Sequence, residues 1–366
     1  MQQHRFFSSV GARGLTVLGV ACALSMVSCK DKGAEAWSQE QADKQAAATT
    51  AAEAAAAAQA AEFAKQKELL EYMIFSVGTL AGEQTSNPVW YEQVRDMRNK
   101  LEEYYNSLEE SGKDPQLSMR LGLMLADITR TMKAFDKALK LYGDVLSKWE
   151  KLPEADRQSL EGRRMRSSIA NGMGGCYLVQ RGKATEALPY YEKALEIDKA
   201  IYQELAPEGN GELPPGNAPI DPNLERAAED VLSSYRCLGD CQRWAEDPEE
   251  ARDTYNEGQT LARRMNHLRP GASLQYIRLL SAMGDLENSC GQLQNAAAAW
   301  GYALQLSQNL EKLSLPTALL AKVKQDQNKL VNSLKAIMPK VRAEQEANRA
   351  AEAADAPIPA EDTTAE

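Results

Sequence analysis

A wholly helical chain, folded as an α-solenoid of antiparallel helix pairs, is what this sequence predicts, and three observations predict it. Four stretches share one skeleton of a small residue, an aromatic four positions on, and a small or β-branched residue three beyond that. They are Ala138, Tyr142, Val145; Ala187, Tyr191, Ala194; Ala251, Tyr255, Gly258; and Ala296, Trp300, Ala303. The residue twelve positions before each first member is tiny: Ala126, Gly175, Gly239 and Gly284. The Ala, Glu, Lys and Gln content favours helix almost throughout, and no strand run of convincing length occurs.

The spacing has a physical cause. Positions i, i+4 and i+7 share a helix face, so each triplet is a stripe that a neighbouring helix can meet. An alanine or glycine twelve residues earlier sits on that neighbour, where a missing side chain lets two backbones approach. Turn chemistry separates the halves, clearest at Arg181-Gly182-Lys183 and Cys290-Gly291-Gln292. Large apolar residues precede the tiny one, as with Tyr235 and Leu238 before Gly239, or Leu280 and Met283 before Gly284.

These residues resemble the tetratricopeptide repeat (TPR), whose helix A carries an aromatic and a Leu-Gly pair and whose helix B carries Ala, an aromatic, Ala and finally Pro. The third copy matches best, through Tyr235, Leu238, Gly239, Ala251 and Tyr255. The family's tyrosine after the Gly is replaced by Thr129, Leu178, Gln242 and Glu287, and its late proline by Glu150, Lys199, Arg263 and Gln308. Prolines arrive further on instead, at Pro153, Pro207, Pro270 and Pro316. The B helices are therefore expected to run about one to two turns beyond the family norm. The repeat spacings of 49, 64 and 45 residues point the same way. The resemblance covers residues 115–315 and implies a protein-binding array rather than an enzyme.

Taken from the amino terminus, Arg5 and Arg13 precede an apolar run from Leu15 to Val27, thirteen residues long and too short to span a bilayer. It ends in Met26-Val27-Ser28-Cys29, which resembles a bacterial lipoprotein lipobox. That resemblance implies a signal peptide over residues 1–28 and lipidation of Cys29. Cys22 is the competing acceptor, but cleavage there leaves an h-region of only seven residues. Lys30 after the cysteine resembles an outer-membrane address, so the expected location is the bacterial cell envelope, lipid-anchored, facing the periplasm.

Residues 29–64 read as an Ala-rich tether, helical or not. Residues 65–114 read as a leading helix pair or degenerate repeat, in which Leu70, Ile74 and Val77 continue an apolar stripe begun at Phe63 and Asn87-Pro88 starts the second helix. The array follows, with an insertion at 207–222 that holds five prolines and three glycines and can continue neither flanking helix. A C-terminal capping helix is expected over 316–350, with Leu320, Val323, Leu330, Leu334 and Ile337 on its apolar side. The tail 351–366 has five acids and no base, a composition of disorder.

The precursor's net charge is −10, and loss of Arg5 and Arg13 with the signal takes the mature chain to −12. That balance argues against a nucleic-acid partner. The histidines are His4 and His267, and no catalytic triad, phosphate-binding loop or zinc spacing can be assembled. No catalytic activity, cofactor or metal is therefore expected. Gly172-Met173-Gly174-Gly175 lies within a repeat, where close packing explains it. Cys176, Cys237, Cys241 and Cys290 read as small buried residues, with a Cys241–Cys290 bridge as the open alternative.

In the TPR family the ligand lies in a concave groove lined by helix A at five repeat positions. The resemblance places Arg120, Leu123, Asp127, Arg130 and Thr131 there in the first copy. The third copy places Ser233, Arg236, Asp240, Arg243 and Trp244, and the fourth Arg278, Ser281, Asp285, Asn288 and Ser289. The second copy is bland: Ile169, Gly172, Cys176, Val179 and Gln180. Aspartate thus recurs amid arginines, which can fork onto the carboxylates and backbone oxygens of a peptide, with Trp244 as a stacking surface. The competing reading is that Arg236 with Asp240, and Asp127 with Arg130, are helical surface ion pairs worth little. The function implied is an envelope adaptor or scaffold that docks peptide segments of partner proteins. The alternative is a nutrient- or glycan-binding surface lipoprotein.

Overall fold

Eleven helices follow one another from Pro88 to Asp355, with no strand among the described residues. The computed structural model describes residues 88–112, 114–179, 183–206, 211–215 and 218–355, and a few exposed helical positions between Lys44 and Thr50 in a separate unit, Met1–Glu71. Cys29 and the signal, nearly all of the tether, the 63–77 stripe, Gln180 to Gly182 and the end of the acidic tail lie outside the described residues. The helices are α1 (Pro88–Ser111), α2 (Pro115–Thr131), α3 (Phe135–Glu150), α4 (Glu154–Gln158), α5 (Leu160–Val179) and α6 (Ala184–Leu205). The rest are α7 (Pro222–Trp244), α8 (Pro248–Met265), α9 (Pro270–Ser289), α10 (Leu293–Glu311) and α11 (Thr317–Asp355).

Local chemistry sets the ends. Asp-Pro pairs open α2, α7 and α8: Asp114, Asp221 and Asp247 accept from backbone N–H groups of Leu117, Asn223 and Glu250, while the proline at N1 gives up a donor that has no helical partner. Three A-to-B turns share one geometry. Lys133, Glu246 and Gly291 take positive φ, and the next residue's N–H reaches back to Thr129 O, Gln242 O and Glu287 O at 3.1, 3.0 and 2.8 Å. That is the Schellman pattern of a helix C-terminus. Only Gly291 announced it in the sequence, because Lys and Glu occupy the left-handed position in the other two copies.

The pairing is that of a TPR-like solenoid. Helices α2, α5, α7 and α9 act as A helices, each packed on its own B helix (α3, α6, α8, α10), and successive A helices neighbour one another. The B helices stand apart. Helix α1 packs on α2, and α11 covers α10 and reaches α9, with Val323, Leu330, Ile337 and Val341 buried. The expectation of uniformly longer B helices needs correction. Helix α3 ends at Glu150, where the family's proline would stand; α8 and α10 overrun that position by less than a turn, and only α6, reaching Leu205, passes it by more. Helix α6 alone runs up to its displaced proline, since Ala206, next before Pro207 in the sequence, already takes an extended ψ of 145°, as a residue preceding proline prefers; the other B helices end earlier, at Glu150, Met265 and Glu311.

Several helix glycines sit where contact demands them. A Cβ on Gly239 would stand 2.4 Å from the Tyr255 ring, one on Gly284 2.4 Å from Trp300, and one on Gly172 2.3 Å from Tyr142 of the preceding copy. The 207–222 insertion, as far as it is described, is a strap. Leu213 is buried and its N–H donates to Met265 O at 2.9 Å, Tyr202 Oη donates to Gly211 O at 2.7 Å, and Arg269 donates to Ala218 O at 2.5 Å. The four described cysteines are free thiols; Cys176 and Cys241 are buried and Cys237 partly so, but Cys290 is exposed, against the expectation that all four are buried.

Among the polar groups buried in the packing, the least exposed carboxylate is that of Asp198. Asp198 of α6 is 3% exposed among Ser167 of α5 and Ser234 of α7, whose hydroxyl donates to it at 2.6 Å. Burial pushes its carboxyl up to about 6 despite the Ser234 and Ser167 hydrogen bonds and Arg164, with Asp230 adding to the rise. The folded state therefore holds this proton more tightly than the unfolded chain does. Its stabilising contribution is full below the unfolded value near 4 and is lost as pH rises through 6. In urea unfolding, wild type relative to Asp198→Asn should lose about 2 kcal/mol between pH 4.5 and 7.5; parallel pH profiles would contradict the assignment.

Candidate peptide-binding face

On the A-helix face, each recurring aspartate meets the aromatic of its own B helix. Tyr142 Oη donates to Asp127 Oδ1 at 2.5 Å, Tyr255 Oη to Asp240 Oδ1 at 2.7 Å, and Trp300 Nε1 to Asp285 Oδ1 at 3.2 Å. The aromatic lies across the small residue of helix A, so its polar tip emerges at the aspartate. In the second copy Cys176 stands at that register and Tyr191 has no carboxylate. These aspartates are thus structural acceptors as well as surface charges. Loss of surrounding water raises the Asp127 and Asp285 carboxyls, opposed by Arg130 and Tyr142 in one case and by Arg243 and Trp300 in the other. The same crowding, with the adjoining carboxylate, raises Tyr142 and Tyr255.

The predicted residues divide into three groups. Arg120 is spent on an ion pair with Glu161, and Arg130 donates through Nε to Tyr142 Oη at 3.3 Å while lying 3.7 Å from Asp127. Arg236, Asp240 and Arg243 of α7 and Arg278, Ser281 and Asp285 of α9 come together and line a cleft of about 400 Å³. Asn288, Ser289 and Trp244 lie outside that lining. Trp244 is 62% exposed beside Arg243, whose guanidinium is 5.7 Å from its ring. In the second copy Ile169 and Cys176 are buried and Val179 is exposed.

The far wall was missed from sequence. It is the capping helix α11, which contributes Gln325, Asp326 and Lys329. Within the cleft Arg236 donates to Asp240 at 2.9 Å and Arg278 to Asp326 at 2.8 Å, both committed pairs. Arg243 and Lys329 stand 3.9 Å from the same two carboxylates, too far for a hydrogen bond. Four cations thus face three carboxylates, and two of the cations are loosely held. The periodicity of α11 marked its apolar side but carried no repeat register, so nothing indicated which polar residues would face α9.

Among the described residues no group of His, Cys, Asp or Glu is placed to hold a metal ion, and no helix is long and apolar enough to cross a membrane. No family model and no curated protein matches the chain. Among solved structures it is similar to BtubC (BKLC) from P. vanneervenii, at 18% identity over 75% of this chain and 96% of that one, with a TM-score of 0.44. A likeness at that level carries no argument about what the cleft binds.

The clasp predicts a graded effect. Tyr142→Phe and Tyr255→Phe should each lower unfolding free energy by about 1–2 kcal/mol, the scale of a hydrogen bond to a charged acceptor. Tyr191→Phe, with no such acceptor, should change it by less than about 0.5 kcal/mol. Equal losses at all three positions, by urea unfolding at pH 7.5, would remove the special role of the aspartates.

Proposed function

We propose that this chain is a lipid-anchored scaffold of a bacterial cell envelope that holds peptide segments of partner proteins on the A-helix face of its repeats. The observation that carries the reading is the cleft among α7, α9 and α11, where Arg243 and Lys329 keep donors free beside arginines fixed by carboxylates. Guanidinium and ammonium groups held this way suit carboxylates and peptide carbonyls. The helical-repeat architecture supports a binding role, since stacked pairs present long surfaces without a catalytic set. Export and anchoring are supported by the basic start, the thirteen-residue apolar run and the Met26-Val27-Ser28-Cys29 sequence. Several acyl chains on Cys29 would hold the protein durably at a membrane.

Each half has its own test. Crosslinking capture from envelopes of the native host should recover a defined partner with wild type and lose it with Arg243→Glu/Lys329→Glu, provided the variant keeps the wild-type circular dichroism spectrum. The same partner at the same yield from both proteins would rule out the cleft. Metabolic labelling with radioactive palmitate should mark wild type and Cys22→Ala but not Cys29→Ala, and labelling that follows Cys22 instead would overturn the anchor assignment.

A further inference from the structure

A second concavity lies away from the A-face cleft, between the B helices α6 and α8. Its volume is about 940 Å³. It exists because the B helices do not pack on one another, leaving Tyr235 of α7 as a floor, while the strap brings Gly211 to one end. The walls are helix stripes. Helix α8 presents Asp253, Asn256, Glu257, Thr260, Leu261 and Arg264, spaced by threes and fours, and α6 presents Lys199, Tyr202 and Gln203.

Several of these groups are already occupied. Lys199 stands 3.6 Å from Glu257 and 5.4 Å over the Tyr235 ring, and Glu204 pairs with Arg163 at 2.7 Å. Tyr202 Oη is taken by Gly211, and Thr260 donates to Asn256 O of its own helix. No hydrogen bond or ion pair among the described residues takes up the side chains of Gln203, Asp253, Asn256 or Arg264. They form an ordered set: a carboxylate toward one end, a primary amide on each wall, and a guanidinium in the last turn of α8, where Met265 meets the strap.

That order is the complement of a peptide with free ends. A carboxylate suits an ammonium, a guanidinium suits a carboxylate, and primary amides can donate to and accept from a peptide backbone at once. Asp253 and Arg264 lie eleven residues apart on one helix, about 16 Å at 1.5 Å per residue. An extended chain rising about 3.3 Å per residue covers that distance in roughly five residues. Stacked ligands do not fit the lining, since Tyr202 and Tyr235 are 3% and 4% exposed and Lys199 covers the latter's ring.

We propose that the slot between α6 and α8 binds a short extended peptide of about five residues with both termini free, its ammonium at Asp253 and its carboxylate at Arg264. The site is separate from the A-face cleft and does not rest on the envelope reading. Calorimetric titration of the full mature chain with pentaalanine tests it. Binding should be one-to-one, and N-acetylation or C-amidation of the probe should each weaken it by about tenfold or more. Asp253→Asn should weaken the free peptide without affecting the acetylated one, Arg264→Gln should do the same for the amidated one, and Lys140→Gln, on α3 and outside the linings of both the slot and the A-face cleft, should leave binding unchanged. Absence of binding to wild type, indifference to blocked ends, or sensitivity to Arg243→Glu in place of Asp253→Asn would each overturn the proposal. The last result would move the peptide to the A face.

Discussion

The structure depends on a clasp that recurs between the two helices in three of the four repeats. A glycine or alanine on helix A leaves room for an aromatic ring from helix B, and the polar tip of that ring meets an aspartate one position further along helix A. Each part requires the others. Without the small residue the ring cannot cross, and without a carboxylate the tip of a fully buried tyrosine would reach the surface with a weaker acceptor. Tyrosine and tryptophan serve alike because both present one donor at the end of a large apolar body. In those three copies the clasp sets the spacing of the pair and the direction in which the arginines beside the aspartate can lean.

That constraint shapes the binding face. An aspartate held from below by a ring is not free to swing toward a ligand, so it acts as an anchor for neighbouring guanidiniums. Arg236 is fixed on Asp240, and Arg130 is drawn onto Tyr142 and out of play. What remains loosely held is Arg243 and, across the cleft, Lys329. A protein that is acidic overall thereby presents a locally basic site, lined by three helices of which one is the cap. Helix α7 serves twice, since Arg236 lines the A-face cleft while its neighbour Tyr235 floors the slot between the B helices. That helix packs against α6, α8 and α9.

Much of the pairing was legible because it is local. The small-aromatic-small register recurs with one chain direction and one turn length, so four copies in phase determine which helix meets which. The turns were legible only where glycine marked them, at Gly291 but not at Lys133 or Glu246, because a left-handed residue in a Schellman turn tolerates other side chains at modest cost. The recurring aspartate was visible as a pattern, and its spacing of fifteen to the B-helix aromatic was there to be read: Asp127 to Tyr142, Asp240 to Tyr255, Asp285 to Trp300. Charge spacing marks the aspartates and arginines alike, and it does not reveal that each aspartate also accepts from a buried aromatic.

By itself the sequence determined the helical class, the number and phase of the repeats, and the place of the insertion and the cap. All of these follow from periodicity and turn chemistry, which act over a few residues. Only the tertiary structure decided that Arg243 and Lys329 are loosely held while Arg236 and Arg278 are not, that Leu213 pins the insertion as a strap, and that the B helices part to leave a slot over Tyr235. Those outcomes depend on how rods far apart in sequence cross and lean, and no local pattern specifies a crossing.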